Sequence, residues 1–205
     1  AAPSPAALVQ TSRLAQGLVE MAHRYGLPIF GLTGCSDSKL PDQQAAAEAS
    51  LSILLESLAG AQMAHDVGYL DSGMTNSIEQ VVICDEIIGY TRHFMQPVEV
   101  NDETLALDLI DEIGPDGDFM GSRHTRKHFR EDWYPQLFER RNYEGWLKAG
   151  GKTLRERAQE KALDILEHHQ PEPLPAEVQR ELDEIVAAAG PSVASAGTGS
   201  IGVQP

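Results

Sequence analysis

Cysteine is scarce in this sequence: Cys35 and Cys84 are the two in 205 residues, far apart and without the spacing of a metal site. We therefore expect free thiols in a reducing, cytoplasmic compartment. No stretch approaches about 18 uninterrupted apolar residues, so a membrane span is not expected. The first residues, AAPSPAALVQTS, lack the charged start and apolar centre of a signal peptide. They also lack an initiator Met, and we expect a trimmed end or the start of a fragment.

Basic residues are also few. The chain has 16 basic and 31 acidic residues, which gives a formal net charge of −15. A field of this sign repels phosphate backbones and anionic bilayers, so neither nucleic acid nor a membrane is an expected partner. The same field favours cationic small molecules. The length suits one domain with a substantial core.

The sequence does contain an alternation of helical and extended segments. Helical periodicity or capping signals mark residues 4–25, 43–60 and 77–94, and two short apolar segments lie between them at 27–34 and 63–70. The first apolar segment, LPIFGLTG, is typical of a fully buried strand. Strands that alternate with helices predict parallel pairing and an α/β fold.

The character of the sequence changes after residue 117. We predict an α/β segment over residues 1–117, an extension with two amphipathic helices over 118–189, and a flexible tail over 190–205. Two or three strands do not complete a parallel sheet, which needs cover on both faces and partners at its edges. We therefore expect a homo-oligomer, another chain or a further segment to complete the sheet.

Two polar loops follow the predicted strands, at residues 33–39 and 66–77. Loops at the carboxyl ends of neighbouring parallel strands form the site in many α/β folds. The structural interpretation is that Gly34 and Gly73 supply turns and that Asp37 pairs with Lys39. The functional interpretation is a shared binding surface, with these candidates for contact with a substrate: Asp37, Ser38, Lys39, His65, Asp66, Tyr69 and Asp71.

Two other residues near these loops have open roles. Cys35 is expected to be a small packed residue, because no neighbouring His, Lys or Arg arrangement would activate it as a nucleophile. His65 stands next to Asp66, and it is either a hydrogen-bonded core residue or a catalytic one. No residue is assigned a catalytic role from the sequence.

His124 and His128 are four residues apart, a spacing that on a helix could ligate a metal ion. No acidic residue stands between them, and their neighbours Arg123, Arg126 and Lys127 would repel a cation. We therefore predict no metal site there. The sequence also shows no phosphate-binding glycine loop, zinc motif or serine nucleophile elbow.

Long stretches of the chain nevertheless resemble the C-terminal region of the trimethylamine methyltransferase family. They include YGLPIFGLTGCSDSKLPDQQ, VGYLDSGMTNSIEQVVICDEIIG, VNDETLALDLIDEIGPDGDFMGSRHTRKHFRE and GGKTLRERAQEKALDIL. The resemblance covers residues from about 4 to 189. It implies a (β/α)8 TIM barrel, of which residues 1–117 would supply the last βα units and 118–189 a helical C-terminal extension. Family chains are usually more than twice this length.

The resemblance also implies a chemistry. Members of the family transfer a methyl group from a methylated amine to the cobalt of a corrinoid protein. The founding members carry pyrrolysine, whereas a second branch lacks it and is linked to quaternary amines such as glycine betaine. This sequence has only standard residues, so it is similar to the second branch. Nothing in it resembles the Asp-x-His-x-x-Gly pattern of a cobalamin-binding domain, so the corrinoid would be presented by a partner protein.

Displacement of a methyl group from a quaternary ammonium by cobalt(I) leaves a neutral amine and needs no general acid. The protein must hold the cation with its methyl group in line, and carboxylates and aromatic faces do this. The candidates for the groups that hold the cation are chosen by their place in the loops, and they are Asp37, Asp66, Tyr69 and Asp71.

Two other functions remain open from the sequence. The chain could be a truncated, non-catalytic interaction or dimerisation module of the same family, with its surface in residues 123–146 and the last two helices. It could also be an unrelated α/β sensor of a small cation.

Overall fold

A computed structural model describes the backbone of residues 7–189 and the side chains of residues 14–189. The predicted helix start at residues 4–5 and the predicted tail at 190–205 lie outside the described residues. The helices are α1 (Ala7–Tyr25), α2 (Gln43–Ala59), α3 (Ile78–Phe94), α4 (Asp102–Leu105), α5 (Leu107–Ile113), α6 (Arg123–His128), α7 (Tyr143–Lys148), α8 (Leu154–His168) and α9 (Ala176–Ala188). The strands are β1 (Phe30–Leu32), β2 (Met63–His65), β3 (Tyr69–Leu70) and β4 (Thr75–Asn76). The described chain is therefore a mixed α/β structure, mostly helical, with two small sheets.

The chain divides into two compact units, the first up to Glu167 and the second from His168. The described part of the second unit contains α9, whose apolar residues Val178, Leu182, Ile185 and Val186 recur at helical spacing. The predicted domain boundaries after residues 117 and 189 stay predictions. None of the described helices is both long and apolar enough to cross a bilayer.

Local signals explain where α2 begins and ends. The Asp42 side chain accepts a hydrogen bond from the Ala45 N–H and caps the first turn. Gly60 has a φ of 81° and ends the helix in the left-handed conformation that glycine adopts without strain. The helix between these residues is apolar on most sides, and it packs against both α1 and α3. This confirms the prediction of a helix between neighbours.

The core of the first unit lies between α2, α3 and α8. Its buried residues are Ala49, Ile53, Val82, Ile83, Cys84, Ile87, Leu137, Ala158 and Ala162. Leu137 belongs to the irregular segment that joins α6 to α7, so this segment is part of the core and not a loose cover.

Glu86 on α3 holds that segment in place. Its carboxylate is 6% exposed and accepts hydrogen bonds from the backbone N–H groups of Leu137 and Phe138, both at 2.8 Å, and of Gln136 at 3.3 Å. The Arg157 guanidinium of α8 donates to the Leu137 carbonyl at 2.9 Å. A chain segment without regular structure thus finds its backbone partners on two helices.

The strands differ from their predicted form in two respects. Phe30 and Leu32 are 59% and 48% exposed, so the prediction of a fully buried β1 is wrong for this chain. The reason is that, among the described residues, β1 pairs only with β2, and this small sheet leaves one face uncovered. The predicted single strand over 63–70 is also wrong, because left-handed φ values of 72° at Asp66 and 87° at Gly68 turn the backbone between β2 and β3.

Candidate functional site

The two polar loops lie side by side, as the parallel arrangement of their strands predicts. β1 pairs with β2 in parallel, with Phe30 opposite Met63 and Leu32 opposite His65. The loops that follow the two strands therefore begin at the same end of the sheet. We call residues 33–39 the first loop and residues 66–77 the second loop.

Backbone hydrogen bonds join the two loops along their length. The N–H of Ser36 donates to the Tyr69 carbonyl at 3.0 Å, and the N–H of Ser72 donates to the Ser36 carbonyl at 3.2 Å. The N–H of Asp71 donates to the Ser38 carbonyl at 2.9 Å. The loops thus form one surface whose shape is set by the main chain and not by side chains alone.

Three residues of the second loop have a strained backbone. Asp66, Asp71 and Ser72 have φ values of 72°, 50° and 56°, and among the described residues only Ala106 is a further non-glycine residue with positive φ. Aspartate tolerates this region better than most residues, but each position still costs about 1 kcal/mol or more. Strain of this kind persists where the surrounding contacts fix it, and it concentrates at functional sites.

Asp71 and Asp37 are neutralised to different extents. The Lys39 ammonium lies 3.2 Å from the Asp71 carboxylate and donates to the Asp37 backbone carbonyl at 2.7 Å. The Asp37 carboxylate accepts a short hydrogen bond from the Ser72 hydroxyl. Within the described part of the chain, Asp37 makes no ion pair, so its charge is available to a cation from solution.

His65 and Asp66 form a second close side-chain contact of the site. Their side chains meet at 2.6 Å, and the His65 ring lies against the Phe30 ring with 5.1 Å between centroids. The His65 side chain is 51% exposed, so the alternative of a buried core histidine is wrong. It is exposed because it lies on the uncovered face of the sheet, together with Phe30 and Leu32. The short distance fits a charge-assisted hydrogen bond.

Other predicted residues shape the loops. Ser38 is buried, and its hydroxyl donates to the Asp42 carboxylate at 2.9 Å, which ties the first loop to the start of α2. Tyr69 is 39% exposed, and its backbone carbonyl accepts the bond from Ser36. The phenol ring is thus partly open to solvent on the joined loops.

Glu48 is a residue of the candidate site that sequence reasoning missed. From α2 its carboxylate accepts hydrogen bonds from the Ser36 hydroxyl at 2.6 Å and the Asp37 N–H at 2.9 Å. It therefore fixes the backbone that presents Asp37. The available signal was weak: an acidic residue in the second turn of the helix that follows the loop.

Cys35 is buried in the first loop, as the sequence predicts. Burial, and then the nearby negative charge of Asp66, raise the pKa of the thiol to about 11. At neutral pH the group is a protonated thiol and not a nucleophilic thiolate.

The predicted absence of a metal at His124 and His128 was argued from basic neighbours, but the structure shows acidic ones. His128 contacts Glu131 at 2.5 Å and Glu103 at 3.3 Å, and the hydrogen bond to Glu131 is the main cause that raises the pKa of this imidazole. His124 bonds to the Glu103 backbone carbonyl at 2.8 Å. Across the described residues, no group of three His, Cys, Asp or Glu side chains is arranged to hold a metal ion.

Taken together, the joined loops carry three carboxylates, at Asp37, Asp66 and Asp71, against one permanent cation at Lys39. A surface with surplus negative charge and a partly exposed phenol ring is suited to a compact organic cation. The arrangement offers electrostatic binding and orientation, and it shows no activated nucleophile.

Comparison with known proteins gives a consistent result. The sequence profile of the trimethylamine methyltransferase (MTTB) family matches residues 6–192. The chain is 36% identical over 183 residues to trimethylamine methyltransferase MttB1 of Methanosarcina mazei, covering 89% of this chain and 37% of that protein. It is 38% identical over 170 residues to trimethylamine methyltransferase MttB of Desulfitobacterium hafniense (strain DSM 10664 / DCB-2), covering 83% and 34%.

A relative named for a different substrate also matches. The chain is 32% identical over 176 residues to the glycine betaine methyltransferase of Desulfitobacterium hafniense (strain Y51), covering 85% of this chain and 36% of that protein. The chain thus spans little more than a third of the length of these curated relatives.

Proposed function

The chain belongs to the trimethylamine methyltransferase family, and we propose that it forms the C-terminal part of a (β/α)8-barrel methyltransferase. The enzyme would move a methyl group from a methylated amine, a quaternary amine such as a betaine, to the cobalt of a corrinoid protein. In this proposal residues 30–65 supply neighbouring barrel strands and the helix between them. The corrinoid is presented by a partner protein.

The observation that carries the proposal is the joined surface of the first and second loops. It lies at the carboxyl ends of two parallel strands, where α/β folds place their sites. Its Asp37 carboxylate has no ion pair among the described residues. The same surface contains Tyr69, whose side chain is partly exposed and whose backbone carbonyl accepts from the Ser36 N–H. These groups suit a methylated ammonium ion.

The proposed reaction requires no proton transfer from the protein. The corrinoid supplies the cobalt nucleophile that accepts the methyl group. As the carbon–nitrogen bond breaks, its electron pair stays on nitrogen and a neutral amine leaves. The residues of this chain would hold the cation and direct its methyl group, with Glu48 fixing the backbone of Asp37. Positioning and electrostatics therefore account for the residues found in the site.

A second candidate function rests on the uncovered face of the β1–β2 sheet. Phe30, Leu32 and Met63 are 59%, 48% and 59% exposed on this face. An apolar surface of this kind favours association with another polypeptide. The chain would then act as an interaction or dimerisation module without activity of its own.

One experiment separates the two functions. It uses a chimera in which this chain replaces the matched 170 residues of the Desulfitobacterium hafniense trimethylamine methyltransferase. Methylation of free cob(I)alamin by glycine betaine or trimethylamine is followed by absorbance. We expect amine-dependent methylation that falls at least about tenfold with Asp37→Asn, which corresponds to about 1.4 kcal/mol. A folded chimera without methylation, together with a stable oligomer of this chain by light scattering, would favour the module.

A further inference from the structure

Glu56 on α2 is a buried acidic residue with no visible partner. It is 3% exposed, and neither carboxylate oxygen has a hydrogen-bond partner among the described residues. Burial raises the pKa of its carboxyl group. Buried carboxylates are normally paired or hydrogen-bonded, because an isolated one costs several kcal/mol. The position of Glu56 therefore calls for a partner that the described chain does not contain.

The sequence makes room for this carboxylate at Gly31 of β1. A Cβ atom at position 31 would collide with the Glu56 carboxylate, so any larger residue there would displace it. The carboxylate thus lies directly over the strand, on the face turned towards α2. This contact makes the placement a specific feature of the fold and not a side chain that merely points inward.

An apolar groove opens beside Glu56. The groove has a volume of about 250 Å³ and lies between α1 and β1, and Glu56 is the only charged residue in its lining among the described residues. The apolar lining includes Leu14, Leu18, Ile29, Phe30 and Leu32. Leu14, Leu18 and Phe30 remain 69%, 60% and 59% exposed. Apolar walls around one carboxylate suit an alkyl chain with a cationic end.

The groove adjoins an unpaired strand edge. The Ile29 carbonyl accepts from the Gln62 N–H at 3.1 Å, and the Thr33 N–H donates to the His65 carbonyl at 2.9 Å. Backbone groups in a parallel ladder alternate between the two sides of a strand, so those of Phe30 and Leu32 point away from β2. On that side the described chain supplies no strand.

We propose that this edge of β1 receives a β-strand that carries a lysine or arginine, whose alkyl stem fills the groove and whose cationic head pairs with Glu56. The inference rests on the proposed function, because the strand would come from the large part of the relatives' length that lies outside the matched region. The strand satisfies the backbone groups of β1, and its cation satisfies the carboxylate.

A second copy of this chain is a poorer occupant. Pairing of two β1 edges would bring two copies of Glu56 to one interface, and the residues Ile29–Leu32 of this edge carry no cationic side chain. A free amine is also poorer, since it would leave the backbone of Phe30 and Leu32 unpaired. A strand with one cationic side chain would pair with the Glu56 carboxylate, fill the apolar groove and satisfy the unpaired edge of β1.

The test measures the effect of Glu56→Gln on melting temperature at pH 7 in two settings, with Glu20→Gln on the exposed side of α1 as the matched control. In the 205-residue chain we expect Glu56→Gln to raise the melting temperature by about 3 °C, because an unpaired charge is removed. In the chimera described above we expect the same change to lower it by several degrees, because a buried ion pair is broken. Glu20→Gln should act alike in both. An increase or no change in the chimera would overturn the proposal.

A second measurement decides the question if the chimera does not fold. The Glu56 carboxyl ¹³C signal of the 205-residue chain is followed during titration with n-butylguanidinium and with the neutral n-butylurea. We expect a saturable shift with the cation alone, and none at Glu20. No saturable shift would overturn the proposal. Methyl transfer is read separately, so an inactive chimera with the reversed Glu56 effect would contradict the proposed function and leave this inference standing.

Discussion

Replacement of Glu86 should release the segment that joins α6 to α7 without unfolding the rest of the chain. The carboxylate serves three backbone N–H groups, at Gln136, Leu137 and Phe138, from a site that is 6% exposed. Glu86→Gln keeps the shape and one acceptor oxygen, but it removes the charge and turns an amide N–H₂ group towards one of the donors. Glu86→Ala leaves all three N–H groups without this acceptor.

The magnitude follows from the number and kind of these bonds. A hydrogen bond to a charged group contributes about 1.5–3 kcal/mol, and a buried donor left unpaired costs about 1–3 kcal/mol. We therefore expect Glu86→Gln to lower the free energy of unfolding by about 2 kcal/mol and Glu86→Ala by about 4 kcal/mol. Because Leu137 belongs to the same buried core cluster as Ala158, part of the loss with alanine comes from disturbed packing.

Urea unfolding measures the global effect, and amide hydrogen exchange locates it. A loss of about 2 kcal/mol that is confined to this segment corresponds to roughly thirtyfold faster exchange at Leu137 and Phe138. The neighbouring exposed residue gives the control, Asp85→Asn, which removes the same charge without a hydrogen-bond partner in the segment. Equal exchange in Glu86→Gln and Asp85→Asn would contradict the role of Glu86 in holding this segment.

Three further outcomes follow from single residues. Gly34→Ala should lower the free energy of unfolding in urea by about 2 kcal/mol, because the φ of this residue is 85° and a Cβ atom would lie 2.8 Å from a methyl group of Val67. The control Gly121→Ala, which has open space around it, should not. The pKa of His128, measured by NMR, should lie above the usual histidine range, chiefly because of the hydrogen bond to Glu131. The stability from this contact should be present below about pH 6.5 and lost as the pH rises through the raised pKa. A pKa of His128 equal to that in the unfolded chain would contradict this. Cys35, with a pKa of about 11, should react with iodoacetamide at pH 7 far more slowly than in the urea-unfolded chain, and equal rates would contradict its burial.

The parts of the fold that local signals determine were predictable from the sequence. The cap at Asp42 and the glycine at residue 60 bound α2, and the parallel pairing of β1 with β2 follows from the alternation of helices and strands. That pairing, in turn, correctly places the two polar loops together. The helix ends are specified within a few residues, and the pairing of the strands follows from the order of the elements, so a single sequence suffices to predict both.

Features that depend on distant contacts were not predictable. The left-handed backbone at Asp66 breaks the predicted second strand, and the apolar pattern of residues 63–70 gives no sign of it. Glu48 and Glu86 look like ordinary helical acids in the sequence, and their hydrogen bonds go to segments 11 and 50–52 residues away. The exposure of Phe30 depends on what covers the sheet, which the apolar pattern of one strand does not specify.

We propose above that the joined loops bind a methylated ammonium ion. The most direct test of this proposal is an NMR titration of the 205-residue chain with glycine betaine, compared among the wild type, Asp37→Asn and the control Asp85→Asn. We expect saturable shifts in residues 33–39 and 66–77, an affinity at least about tenfold weaker for Asp37→Asn, and an unchanged affinity for the control. Equal affinity in all three proteins, or saturable shifts only outside the two loops, would contradict it.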